Sequence, residues 1–139
     1  GYPKDINFYQ TIKLLSNALA AASPEATIIL LSRCHDGFGD ADCQSQICDF
    51  SSMEERERAL RTDFSIGAYV GFLFAEAAEK HKLILVTDMA PDNFTRTDIK
   101  AVRTLDEALE AARTLNGGTL DMKTILMPHG ASTLPKVGN

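Results

Sequence analysis

Four short segments of this sequence carry side chains that could do chemistry. Arg33-Cys34-His35-Asp36-Gly37-Phe38-Gly39-Asp40 combines a thiol, an imidazole and carboxylates with two glycines, and Thr87-Asp88-Met89 offers a hydroxyl beside a carboxylate. Pro128-His129-Gly130 holds a second histidine, and Tyr9-Gln10-Thr11-Ile12-Lys13 sets an amide and an ammonium three residues apart. On a helix, positions i and i+3 project side by side. Lysine supplies a cation for a carboxylate, and glutamine supplies a donor and an acceptor for a hydroxyl or carbonyl oxygen.

Each segment also has a plainer reading. Gly37-x-Gly39 invites a phosphate loop, because glycines let backbone N–H groups approach an anion. No third glycine follows in dinucleotide spacing and no Lys-Ser/Thr follows as in a triphosphate loop, while aspartates crowd the segment, so a turn that re-aims the chain is favoured. Cys34, His35, Cys43 and Cys48 suit a soft metal by type but match no zinc-ribbon or finger spacing, and no metal site is expected from them. A cysteine nucleophile with His129 as base can be paired on paper, and only geometry decides. His81 reads as a cation at a helix end. Glu54-Glu55-Arg56-Glu57-Arg58 reads as a solvated helix face with paired charges.

The elements that must position these groups follow from periodicity. Apolar residues Phe8, Ile12, Leu15, Leu19 and Ala22 form one stripe of a helix over residues 7–22, capped by Asn7 with Gln10 closing a capping box. The unbroken apolar runs at 26–31 and 82–87 predict strands buried on both faces, with shorter strands at 101–103 and 124–127. Helices are predicted over 41–49, from Ser51/Ser52 through Arg61, over 66–81 with Tyr69, Val70, Leu73, Phe74 and Ala77 on its apolar side, and over 105–115, stopped by Asn116-Gly117-Gly118. Helices alternating with strands predict a single three-layer α/β domain over residues 1–139, a mostly parallel sheet flanked by helices on both faces in the Rossmann-like manner. In such sheets ligands collect at the carboxyl ends of the strands, where most of the four segments fall.

Composition bounds the partners. The chain has 139 residues, 45% of them hydrophobic, with 14 Lys and Arg against 19 Asp and Glu for a formal charge of −5. That length is one domain, and the acidic balance argues against nucleic acid, which needs clustered cations. No apolar run reaches the roughly 18 residues of a membrane span. Three irregularly spaced cysteines suit free thiols and a cytoplasmic location. The first residue is Gly, so the chain reads as part of a longer polypeptide.

Gly1-Tyr2-Pro3-Lys4-Asp5 leading into Tyr9-Gln10-Thr11-Ile12-Lys13 resembles the start of the C-terminal domain in the nickel-pincer lactate racemase family. Ile28 to Ser32 followed by Cys34, Asp36-Gly37 and Gly39, then Ile66-Gly67, and Pro128-His129-Gly130 with Leu134-Pro135, resemble the same domain in order. The resemblance implies a two-domain enzyme that racemises or epimerises 2-hydroxy acids by hydride transfer to and from a nickel-pincer nucleotide. It assigns the cofactor lysine, the nickel ligand and the acid–base histidines to an N-terminal catalytic domain absent from this chain, so the isolated domain is expected to be inactive and to hold no complete catalytic set or metal.

The motif carries two positions across: Gln10 and Lys13 are implied to contact substrate in the interdomain cleft. Tyr9, His35, Asp36, Gly37, Gly39 and His129 are candidates for lining that cleft. The implied partners are the N-terminal domain and a small 2-hydroxy acid. One departure is the absence of tryptophan, which the lactate-specific enzyme places near its site; residues 64–69 are the counterpart here, which points to another 2-hydroxy acid. The alternative is a non-catalytic α/β domain that binds a small ligand or anion.

Overall fold

The computed structural model of the chain describes residues 1–136 and 138. A short 3-10 turn, Tyr9–Thr11, leads into helix α1 (Ile12–Ala21), then strand β1 (Thr27–Leu31), helices α2 (Ala41–Cys48), α3 (Met53–Thr62) and α4 (Ile66–Lys80), and strand β2 (Lys82–Val86). A second 3-10 turn, Pro91–Phe94, precedes β3 (Lys100–Val102) and α5 (Leu105–Leu115), and a third, Gly130–Ser132, lies near the end. The strands are parallel in the order β1-β2-β3, with Thr27 opposite Lys82 and Ile84 opposite Lys100.

The central strand explains the layers. Leu83, Ile84 and Leu85 of β2 are all buried, so both faces must be covered. Leu83 and Leu85, with Ile28 and Leu30 of β1, meet Leu15 of α1 and Val70 and Phe74 of α4. On the other face Ile84 packs on Ala108 and Ala112 of α5, flanked by Ile29, Val86 and Val102. Helices on both faces of a parallel sheet are therefore what the alternating pattern predicted.

Helix starts obey local chemistry. Asp40, Ser52, Ser65 and Thr104 each accept a bond from a backbone N–H three residues on, satisfying donors that a helix N-terminus leaves free. Asn7 Oδ1 likewise accepts from the Gln10 N–H at 2.9 Å. The Gln10 side chain does not complete a capping box; it accepts from Lys13 Nζ at 3.0 Å, and the first turn tightens to 3-10 geometry.

Three further expectations are corrected. Residues 124–127 form no strand: the sheet has three strands, and among the described residues no backbone bond joins 124–127 to it. Tyr69 is exposed, because α4 presents small residues to its neighbour instead. A Cβ on Gly71 would stand 2.7 Å from the Cys43 carbonyl oxygen, so glycine is what lets α2 and α4 approach this closely.

Third, Arg56 leaves its charged run and is buried. Its Nε donates to Gln46 O at 2.8 Å and its Nη2 to Phe50 O at 2.8 Å and to Arg96 O, tying the end of α2 to the turn before β3. Burial lowers the guanidinium pKa against the opposing pull of Glu55, Glu79 and Asp98. The rest of that helix face matches expectation, with exposed pairs Arg58–Glu54 and Arg61–Glu57.

The centre of the core is Phe8, fully buried, with ring centroids 4.1 Å from Phe74 and 5.5 Å from both Phe38 and Phe94. Four separate segments of chain meet at that ring. Phe8→Ala is expected to cost about 3–5 kcal/mol in urea unfolding. A loss below about 1 kcal/mol would show that the cluster closes over the cavity.

Candidate functional site

The carboxyl ends of the three strands are laced together by one buried hydroxyl residue. Thr87, just past β2, donates its N–H to Val102 O at 2.9 Å and its Oγ1 to Arg33 O at 3.0 Å. The N-terminal segment is bound to the same edge by four backbone bonds of 2.9–3.0 Å: Cys34 N–H to Asp5 O, Asp36 N–H to Ile6 O, Phe8 N–H to Gly37 O and Tyr9 N–H to Phe38 O. Behind them Thr11 Oγ1 and Ser32 Oγ stand 2.6 Å apart, and both reach the Cys34 sulfur. This clasp holds Cys34 in the left-handed region at φ 53° and sets the start of α1 beside the loop after β1.

Glycine geometry completes the clasp. Gly37 and Gly39 have φ of 70° and 75°, which non-glycine residues avoid, so both serve the turn that re-aims the chain. Around Gly37 there is open space, whereas a Cβ on Gly39 would overlap the Asn7 side chain, the cap of the first turn.

An open depression of about 520 Å³ lies over this edge, and His35, Asp36, Gly37 and Gly39 line it together with Asp40 and Asp88. His35 Nε2 is 3.6 Å from Asp36 Oδ1, and Arg33 Nε donates to Asp88 Oδ2 at 3.0 Å; both pairs are largely exposed and so contribute little stability. Tyr9, Gln10 and Lys13 do not line it; the Tyr9 N–H reaches it through the carbonyl of Phe38, one of the lining residues. Tyr9 and Gln10 are half-buried, and Lys13 is exposed with its ammonium held by Gln10 Oε1.

His129 is the misplaced candidate. With residues 124–127 unpaired, it does not follow a strand; it is exposed before the Gly130–Ser132 turn, which packs on α1. Asn17 Nδ2 donates to Gly130 O at 2.7 Å, and Lys4 Nζ reaches Ser132 Oγ. Gln44, Asn93 and Asp40 also line the depression, and sequence reasoning singled out none of them as a site residue; Asp40 is the charged one. Its one sequence signal is its position ahead of Ala41, where it caps α2 through the Cys43 N–H at 2.9 Å.

The thiols are placed for packing rather than chemistry. Cys34 and Cys43 are buried. Burial, then the Asp40 charge and Cys48, push the Cys43 thiol up to about 12. Burial and Asp49 raise Cys48 as well, and its sulfur donates to Asn93 O at 3.4 Å. Among the described residues no three His, Cys, Asp or Glu side chains are grouped to hold a metal ion.

The family model of the lactate racemase C-terminal domain matches residues 1–134. The chain belongs to this family. Among similar proteins, lactate racemase of Lactiplantibacillus plantarum is 29% identical over 98% of the chain and 33% of its own length. The lactate racemase of Thermoanaerobacterium thermosaccharolyticum is 25% identical over 96% of the chain and 32% of its own length. The chain thus spans about a third of the length of these relatives. The solved structure of a lactate racemase apoprotein from T. thermosaccharolyticum superposes with a TM-score of 0.72 at 25% identity, over 83% of this chain and 29% of that one. The family contains enzymes, and the α/β architecture is shared with that structure. Among the described residues no helix is long and apolar enough to cross a membrane.

Two outcomes test the geometry. Gly39→Ala should destabilise the chain by about 1–3 kcal/mol in urea unfolding, and Gly37→Ala by less, since only the first meets Asn7. Equal losses would show that Asn7 moves aside freely. At pH 8 a disulfide reagent should label Cys48 on the order of 100-fold faster than Cys43, whose thiol stays protonated until the chain unfolds. Equal rates would contradict the burial of Cys43.

Proposed function

We propose that this chain is the C-terminal domain of a two-domain racemase or epimerase of 2-hydroxy acids, and that it forms one wall of an interdomain cleft. The observation that carries this is the Gln10–Lys13 pair: the side chains are bonded to each other at 3.0 Å, at the start of α1, beside the carboxyl edge of the sheet. The length of the relatives, three times that of the match, supports a preceding domain as the partner.

The roles follow from the side chains. Lys13 offers its ammonium to the substrate carboxylate. Gln10 steers that ammonium through Oε1 and keeps its own NH₂ free to donate to a hydroxyl or carbonyl oxygen. The Tyr9 main chain, bonded to Phe38 O, anchors both to the core. Closure of a second domain over this face excludes water and strengthens each of these contacts.

In this reading the nickel-pincer nucleotide, carried by the other domain, supplies the hydride acceptor and donor. The donors of this chain do not themselves fit a nickel site: the buried Cys43 thiol is held protonated, and no ligand group of three is assembled among the described residues. They do not fit a phosphate either, since Asp36, Asp40 and Asp88 share the depression. That same acidity weighs against a stand-alone anion binder.

In the full-length enzyme loaded with cofactor, Lys13→Ala should lower kcat/KM for racemisation about 10- to 100-fold, the worth of a charge-assisted bond to a carboxylate, with nickel content unchanged. Wild-type kinetics in that variant would remove Lys13 from the site.

A further inference from the structure

Asn7 lies in the middle of the N-terminal clasp. Ile6 O accepts from the Asp36 N–H at 3.0 Å on one side of it, and the Phe8 N–H donates to Gly37 O at 2.9 Å on the other. Its backbone is therefore fixed to the loop after β1. From that base its Oδ1 accepts from the Gln10 N–H at 2.9 Å, which ties the turn carrying Gln10 directly to the clasp. The same side chain lies against Gly39, where an added Cβ would overlap it and displace the cap.

The Asn7 main chain holds a second tie. A carbonyl only accepts, so the Thr11 hydroxyl donates to Asn7 O at 3.0 Å. With that proton committed, Thr11 Oγ1 accepts from Ser32 across 2.6 Å, and Ser32 Oγ accepts from the Cys34 thiol at 3.3 Å. Thr11, Ser32 and Cys34 are each at most 3% exposed, so these bonds are made away from water. Every proton in the series points toward Asn7, which thereby joins the carboxyl end of β1 to the start of α1.

We propose that Asn7 is a positioning residue for the Gln10–Lys13 pair. Its side chain holds the first turn through the Gln10 amide, and its carbonyl holds the same turn through Thr11. Lys13 is exposed, and among the described residues its ammonium has Gln10 Oε1, at 3.0 Å, as its one bonded partner. The place of that cation relative to the loop after β1 is therefore transmitted through Gln10 from Asn7. The kinetic consequence rests on the reading of Lys13 as the contact for the substrate carboxylate, whereas the holding of the turn does not.

The full-length, cofactor-loaded enzyme tests the kinetic consequence, using the fastest substrate among a panel of short 2-hydroxy acids that includes lactate. Asn7→Ala should raise KM about 3- to 10-fold and leave kcat within about twofold, because a displaced cation weakens ground-state and transition-state binding alike. A purely structural role would instead reduce the amount of active enzyme, lowering kcat at unchanged KM, and that result would overturn the proposal. Asn7→Ser, which keeps a neutral cap oxygen, should restore KM. In the Lys13→Ala background Asn7→Ala should have no further effect, since it acts through that ammonium. An effect of equal size in both backgrounds would overturn this inference and leave the racemase reading standing; wild-type kinetics in Lys13→Ala would overturn that reading instead. Amide exchange followed by NMR on the 139-residue chain gives a readout that needs no activity. The Gln10 amide should exchange about tenfold faster in Asn7→Ala, with Ile84 unchanged as the core control. Equal Gln10 rates in the two proteins would overturn the inference whatever the kinetics.

Discussion

Phe8 enters the core from a segment that is neither helix nor strand, and the site edge depends on its doing so. Its ring lies against Phe38 from the loop after β1, Phe74 from α4 and Phe94 from the turn before β3. Burying it commits residues 5–9 to run beside residues 34–38, and the four backbone bonds between those stretches follow. Gln10 and Lys13 come next along the chain, so their position relative to the loop is set by an aromatic contact two and five residues away. Hydrophobic burial supplies the energy here, and hydrogen bonds supply the register.

The same economy governs the rest of the edge. Parallel strands end together, so Arg33, Thr87 and Arg103 emerge side by side although they are far apart in sequence. Thr87 is buried where its hydroxyl and amide join all three strand ends, and Arg56 joins the elements on the α2 side through carbonyls alone. A buried guanidinium without a carboxylate partner must have its donors filled, which makes this a demanding joint rather than a surface pair. Rigid joints beneath and exposed polar groups above suit a surface that meets a second body.

Much of the architecture was legible from periodicity. The runs at 26–31 and 82–87 read as strands buried on both faces. Both are strands, but only β2 has both faces covered, while β1 lies at the sheet edge with Leu31 exposed. The α4 and α5 segments read as helices because their patterns are long enough to show the helical period. Residues 124–127 misled because a threonine and three apolar residues carry strand propensity without a partner to pair with. Arg56 misled because helix periodicity shows which residues share a face but not what stands opposite it. Phe38 and Phe94 sit in a loop and a 3-10 turn, where no period marks a residue as core, yet both are buried.

For the site, residue types and motif order were enough to single out Gln10, Lys13 and the His35 loop, since both are local in sequence. Which candidates share one surface was decided only in three dimensions: His35, Asp36, Gly37 and Gly39 gather with Asp40 and Asp88, while His129 is held on α1. Local sequence determines helix starts, glycine turns and strand runs because their energies lie within a few residues. Burial of Phe8, the protonated Cys43 thiol and the open edge of β1 depend on neighbours far along the chain, and only packing brings those neighbours together.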